Sequence, residues 1–132
     1  MSPELELQGE IVDLLRSNAA LTALIDTRVY DAVPDIRLFP FVSMGPMISN
    51  SEEVDCIDAM DITVQIDVWS RAVGYPECKI IADEVRSAVV QLVELPVNAL
   101  VGIYHNTTTT MRDPDGLTSH SALMFNALVE RQ

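Results

Sequence analysis

From Asp61 to Ser70 the chain alternates with a period of two. Ile62, Val64, Ile66 and Val68 are apolar, and Asp61, Thr63, Gln65 and Asp67 between them are polar. Successive side chains of a strand point to opposite faces, so this stretch is committed to a strand with one face in a core and one in water. Such a strand needs neighbours along its edges and a covering layer on its apolar face.

Helices are the expected cover. Ser2 stands where an N-cap is needed, with Pro3 at the first helical position and Glu4 in the first turn, all suited to the unpaired N–H groups of a helix start. Leu7, Ile11, Leu14 and Leu15 then recur at helical spacing, to about Ser17. Asn18 is placed to cap a second, shorter stretch with Leu21, Leu24 and Ile25. Pro76 and Glu77 open a further helix, in which Cys78, Ile81, Val85, Ala88, Val89 and Leu92 form one apolar stripe and Glu84, Arg86 and Gln91 the opposite side. Pro96 closes that region.

The neighbouring strands are read from propensity and turn chemistry. Arg28 to Asp31 is strand-like, and Phe39 to Met44 reads as a strand with Pro40 at its start and Gly45-Pro46 ending or bending it. Leu100 to Arg112 and Thr118 to Glu130 form a hairpin around Asp113-Pro114-Asp115-Gly116, a type I turn pattern. Ile48 to Asp61, with Glu52, Glu53, Asp55, Asp58 and Asp61, is expected to be an exposed loop or a hairpin tip. The order of elements implies an α+β fold, a mainly antiparallel sheet with two principal helices packed on one face, in a single domain spanning residues 1–132. Both faces of the last strand carry apolar residues: Leu123, Phe125, Ala127 and Val129 on one, Ala122, Met124 and Leu128 on the other. The excess has two readings, burial against a second subunit or a strand covered on both faces within the monomer.

Charge restricts the partners. Eight Lys and Arg against twenty Asp and Glu give −12. Nucleic-acid binding relies on cations that replace the counterions around phosphates, so specific DNA or RNA binding is not expected, and an anionic membrane surface would repel the chain. No signal peptide or bilayer span is expected from the sequence. Cys56 and Cys78 are expected to be free thiols, buried as small apolar side chains.

Chemistry-bearing clusters are weak. Asp67 with Glu77 and Lys79 supplies the parts of a metal-dependent nuclease, but Glu77 is accounted for by the first turn of a helix and Lys79 by a solvated helix surface. The carboxylates from Glu52 to Asp61 lack the spacing of an EF-hand, and Asp113 and Asp115 suit a turn. With Arg112 opposite Leu117, His105 falls opposite Met124 and His120 opposite Thr109, about 13 Å apart and too far to share a metal. No Gly-rich phosphate loop or activated nucleophile is recognisable, and no cofactor or metal site is assigned. Trp69 and Tyr104 read as aromatics buried at strand ends, with interface anchoring as the alternative.

The order of short motifs along the chain resembles the tail-terminator, or tail-completion, proteins of long-tailed phages, prophages and gene transfer agents. The motifs are the Leu-rich opening helix with Ala20-Leu21-Thr22-Ala23-Leu24-Ile25, Arg28-Val29-Tyr30-Asp31 with Pro34, and Phe39-Pro40-Phe41-Val42. They continue with Val68-Trp69-Ser70-Arg71 before a helix, Arg112-Asp113-Pro114-Asp115-Gly116, and His120. The resemblance implies a non-enzymatic structural virion protein at the tail-neck junction, assembled in the bacterial cytoplasm. It implies a hexameric ring of the chain with itself that caps the tail tube protein, stops tube polymerisation and meets a head-side connector or stopper protein. On that footing Glu52, Glu53, Asp55 and Asp58 are candidates for the lumen or an axial neighbour, Arg71 and Arg112 for pairing across the ring, and Met124 for an interface.

Overall fold

The computed structural model describes residues 1–54 and 56–132. Among them the elements run α1 (Pro3–Ser17), α2 (Ala19–Ile25), β1 (Val29–Tyr30), β2 (Phe41–Val54), β3 (Ile57–Ser70), α3 (Pro76–Val89), β4 (Ala99–Arg112) and β5 (Ser119–Glu130). The five strands form one sheet in the order β1-β2-β3-β5-β4. Short β1 is parallel to β2, and every other pairing is antiparallel, so the fold is α+β as expected.

The helix starts follow their caps. Ser2 Oγ accepts from Leu5 N–H at 3.3 Å, and Asn18 Oδ1 accepts from Leu21 N–H at 2.9 Å. Asn18 is extended, so it ends α1 and caps α2 with one residue. Pro76 opens α3, and Ser70 Oγ donates to Glu77 Oε1 at 2.8 Å, tying the first turn of α3 to the end of β3.

The alternation in β3 is realised: Ile62, Val64, Ile66 and Val68 are fully buried with Leu123, Phe125, Ala127 and Val129 of β5. Leu7, Ile11 and Leu15 of α1, Leu21 and Ile25 of α2, and Ile81 and Val85 of α3 complete the same cluster. Each such side chain contributes about 1.5–3 kcal/mol on burial, so this one layer decides how the helices sit. Polar side chains are buried beside this layer, among them Ser121, Asn98 and Glu6. Glu6 of α1, 6% exposed, accepts from Val97 N–H at 2.8 Å, Asn98 N–H at 2.9 Å and Asn98 Nδ2 at 3.1 Å. Burial pushes its carboxyl up, but the bonds from Asn98 and Val97 outweigh that and hold it below its usual value.

Several expectations are narrowed or corrected. Of the two readings of Ile48 to Asp61, an exposed loop or a hairpin tip, the hairpin is the one realised: β2 and β3 pair from Phe41↔Trp69 out to Val54↔Ile57. Once two antiparallel strands are aligned, each further residue gains ladder bonds, and polar side chains do not oppose that. Gly45-Pro46, expected to end or bend the strand, does not end β2; the register shifts there, between Met44 and Met47. In the second hairpin Arg112 opposes Ser119, not Leu117, because the loop is longer than the four-residue turn: Asp113 N–H bonds Thr118 O, and Gly116 N–H bonds Asp113 O. A further irregularity between His105 and Thr107 places His105 opposite Phe125 and His120 opposite Met111. Cys78 is buried as expected, and burial raises its thiol pKa, but Cys56 is exposed in the β2–β3 turn. Tyr104 is not a buried aromatic; it is 62% exposed on β4.

Helices cover one face of the sheet only. Alternate residues of β5 from Ser119 to Val129 are buried, while Ala122, Met124 and Leu128 point to the other face and lie outside the core cluster. Ala122, Met124 and Leu128 are half-buried, so the monomer covers the second face of β5 only in part. No described helix is long and apolar enough to cross a membrane.

Candidate functional site

The motifs scattered along the sequence converge at one end of the open sheet face. The loop between β1 and β2 brings Arg37 and Phe39, β2 begins with Phe41, β3 ends with Trp69 followed by Arg71, the β4–β5 turn adds Asp115, and β5 begins near His120. Arg37, Phe39, Phe41, Trp69, Arg71 and Asp115 border an open cavity of about 330 Å³, and His120 stacks on Trp69.

The floor of this corner is aromatic. Phe39 and Phe41 lie 5.0 Å apart, Phe41 and Trp69 stack at 6.3 Å, and Trp69 and His120 stack at 3.9 Å with planes 8° apart. Register explains the ladder: Phe41 opposes Trp69 on β3, and Trp69 opposes His120 on β5, so the three rings form one cross-strand row. Trp69 Nε1 donates to Ser43 Oγ at 2.9 Å. His120 Nε2 lies 2.6 Å from Asp67 Oδ1, which also accepts from Gln65 Nε2 at 2.9 Å. Gly45 lets β2 pass this cluster, since a Cβ there would come within 2.8 Å of Asp67 Oδ2.

Arginines form the walls. Arg71 lies over the Phe39 ring at 4.3 Å, donates through Nε to Thr118 Oγ1 at 3.2 Å and approaches Asp115 at 4.0 Å. Asp115 is held below the usual carboxylate range, first by the Thr118 N–H and hydroxyl, then by the Leu117 N–H, with Arg71 adding to them. Arg37 sits 5.8 Å from the Phe39 ring centre; Arg112 lies outside this corner, 4.8 Å from the Tyr75 ring centre. Ile36 and Leu38 on the rim are 93% and 70% exposed. Aromatic and Arg side chains beside exposed aliphatic ones are the composition of a protein-binding surface.

The other candidates lie apart. Glu52 and Asp58 are exposed at the far end of the β2–β3 hairpin; Asp58 pairs with Arg131 at 3.3 Å. Glu53 occupies a position in β2, opposite Asp58, and Asp55 lies outside the described residues. Met124 is in the middle of the open face, opposite Gln65. Arg71 and Arg112 are already engaged inside the subunit, by Phe39 and Tyr75 respectively. The nuclease parts are not assembled: Asp67 is on the open face with His120, whereas Glu77 is on α3 across the sheet with Ser70. His105 and His120 sit on opposite faces, and among the described residues no cluster of His, Cys, Asp or Glu is arranged to hold a metal ion.

Sequence reading missed the Trp69–His120–Asp67 cluster and the Glu6 brace. The first depends on residues 53 positions apart and the second on residues more than 90 apart, so neither leaves a local pattern.

Helices thus pack one side of the sheet, and the aromatic corner lies at one end of the other. A family model described as Tail completion protein gp17 matches residues 9–130, and the chain belongs to that family. It is also similar to a chain in a solved structure described as the virion of a native gene transfer agent (GTA) particle. The two are 30% identical, the match covers 96% of each chain, and the TM-score is 0.89. No curated protein matches. The chain is a structural tail protein of phage type, as its sequence motifs imply.

Proposed function

We propose that the whole chain, residues 1–132, acts as one domain that assembles into a hexameric ring on the end of a tail tube. The ring ends polymerisation of the tube protein and offers its other side to a head-side connector or stopper protein. Support comes above all from the family match, which runs through nearly the whole chain and so includes both the helices and the open sheet face. A closed ring needs two different patches on each subunit, and the sheet face with half-buried Met124 and Leu128 supplies apolar area for one of them. The charge of −12 suits a channel through which DNA slides, since attraction to phosphates would retard it. In this reading Glu52, Glu53, Asp55 and Asp58 face the lumen or an axial neighbour. The protein works by fitting against its neighbours and carries out no chemistry, with no metal or cofactor. Electron microscopy of particles made with and without the protein tests this. Loss should leave tubes of uncontrolled length and heads without tails; tubes of normal length joined to heads would refute it.

A further inference from the structure

The sheet ends in two unlike edges. Strand β4 forms one edge along all of Ala99–Arg112. The other edge is β2, which β1 covers only at Val42 and Ser43. An edge strand presents unpaired N–H and C=O groups, and soluble proteins normally guard such edges with charge. Here Pro46 and the register shifts at Met44/Met47, Leu100/Gly102 and His105/Thr107 interrupt the edges, but acid does not guard them. In a chain with twenty Asp and Glu, there is no carboxylate from Leu95 to Arg112 or from Arg37 to Ser51. Two copies carrying −12 each repel least where such charges are sparse; along β4, and along β2 up to Ser51 with only Glu4 of α1 reaching Ser49, the edges are such places.

The sheet register then aligns the two edges. Ile48 opposes Thr63, Thr63 opposes Asn126, and Asn126 opposes Tyr104, so one row crosses the open face from edge to edge. Both ends of that row are large exposed side chains, Ile48 at 59% and Tyr104 at 62%. Three antiparallel steps separate β2 from β4, so β4 of one copy is antiparallel to β2 of another laid beside it in the same orientation.

We propose that a second copy of this chain adds its β2 edge to the β4 edge of the first, continuing the sheet from subunit to subunit with Tyr104 against Ile48 of the neighbour. The contact is heterologous, so it propagates head to tail and closes only as a ring. It rests on the ring reading above and names the surfaces that make the ring.

Cross-linking tests it. Within one subunit Ile48 and Tyr104 are three strand spacings apart, about 14 Å, whereas a disulfide needs Cα atoms within roughly 7 Å. In a Cys56→Ser background, the double variant Ile48→Cys with Tyr104→Cys is oxidised mildly, both as soluble protein and in assembled particles. The expected result is a ladder of covalent multimers of this chain. Mixing the two single variants should stop at dimers, because each copy then carries only one of the two partners. Both sites are exposed, so the substitutions leave the fold in place. Capped tails without the ladder, or a cross-link to the tube protein in its place, overturn this pairing while leaving the ring reading intact. Absence of self-association together with uncapped tails overturns both.

Discussion

Trp69 and His120 stack face to face, 3.9 Å between ring centres, and the same imidazole reaches Asp67 at 2.6 Å. One side chain of β5 thus both covers an indole on the open face and partners a carboxylate whose side chain is 9% exposed. Replacing His120 by Ala removes the stack and leaves Asp67 with Gln65 alone. Unfolding in urea should show a loss of about 1–2 kcal/mol. A variant as stable as the parent would mean that the cluster is incidental to the fold.

Gly45 is the backbone counterpart of that cluster. A methyl group there meets Asp67 Oδ2 at 2.8 Å and Gln65 Cγ at 3.0 Å, and Asp67 is pinned by its bond to His120. Gly45→Ala should therefore destabilise the subunit by about 1–3 kcal/mol, as overpacking does. Combining it with Asp67→Ala, which removes the obstructing oxygen, should recover part of the loss relative to Asp67→Ala alone. Simple additivity of the two would argue against the clash.

Acid should loosen the attachment of α1. The folded carboxyl of Glu6 lies below its unfolded value, so the stabilisation is fully present above the unfolded value and disappears as pH falls through the folded one. Asp115 acts in the same direction in the β4–β5 turn. Glu6→Gln should lower the thermal midpoint at neutral pH, and the gap to the parent should narrow toward acid. A gap independent of pH would show that charge at Glu6 is not what matters.

The hairpin end separates assembly from folding. Asp58 and Arg131 are about half exposed, and a pair of that kind is worth roughly 0.2–1 kcal/mol. Changing Glu52, Glu53, Asp55 and Asp58 together to Lys should leave a folded subunit whose stability is within about 1 kcal/mol of the parent. Tail capping or DNA delivery should fall in the same variant, counted as joined and infectious or transducing particles. Normal particles would remove these residues from the lumen or axial contact.

The elements themselves were legible because their signals are local. Ser2-Pro3, Asn18 and Pro76 satisfy helix starts within a few residues, and the alternation from Asp61 to Ser70 needs only the pleat of a strand to be read. Residue order likewise sufficed for the α+β arrangement. Tertiary structure alone decided the length of the β2–β3 hairpin, the shift from Leu117 to Ser119 opposite Arg112, and the exposure of Cys56 and Tyr104. Those outcomes depend on ladder bonds, bulges and the one-sided placement of helices, all set by distant partners. The corner of Phe39, Phe41, Trp69, Arg71 and His120 is of the same kind: each residue type is visible in its segment, but only the strand order β2-β3-β5 makes them neighbours.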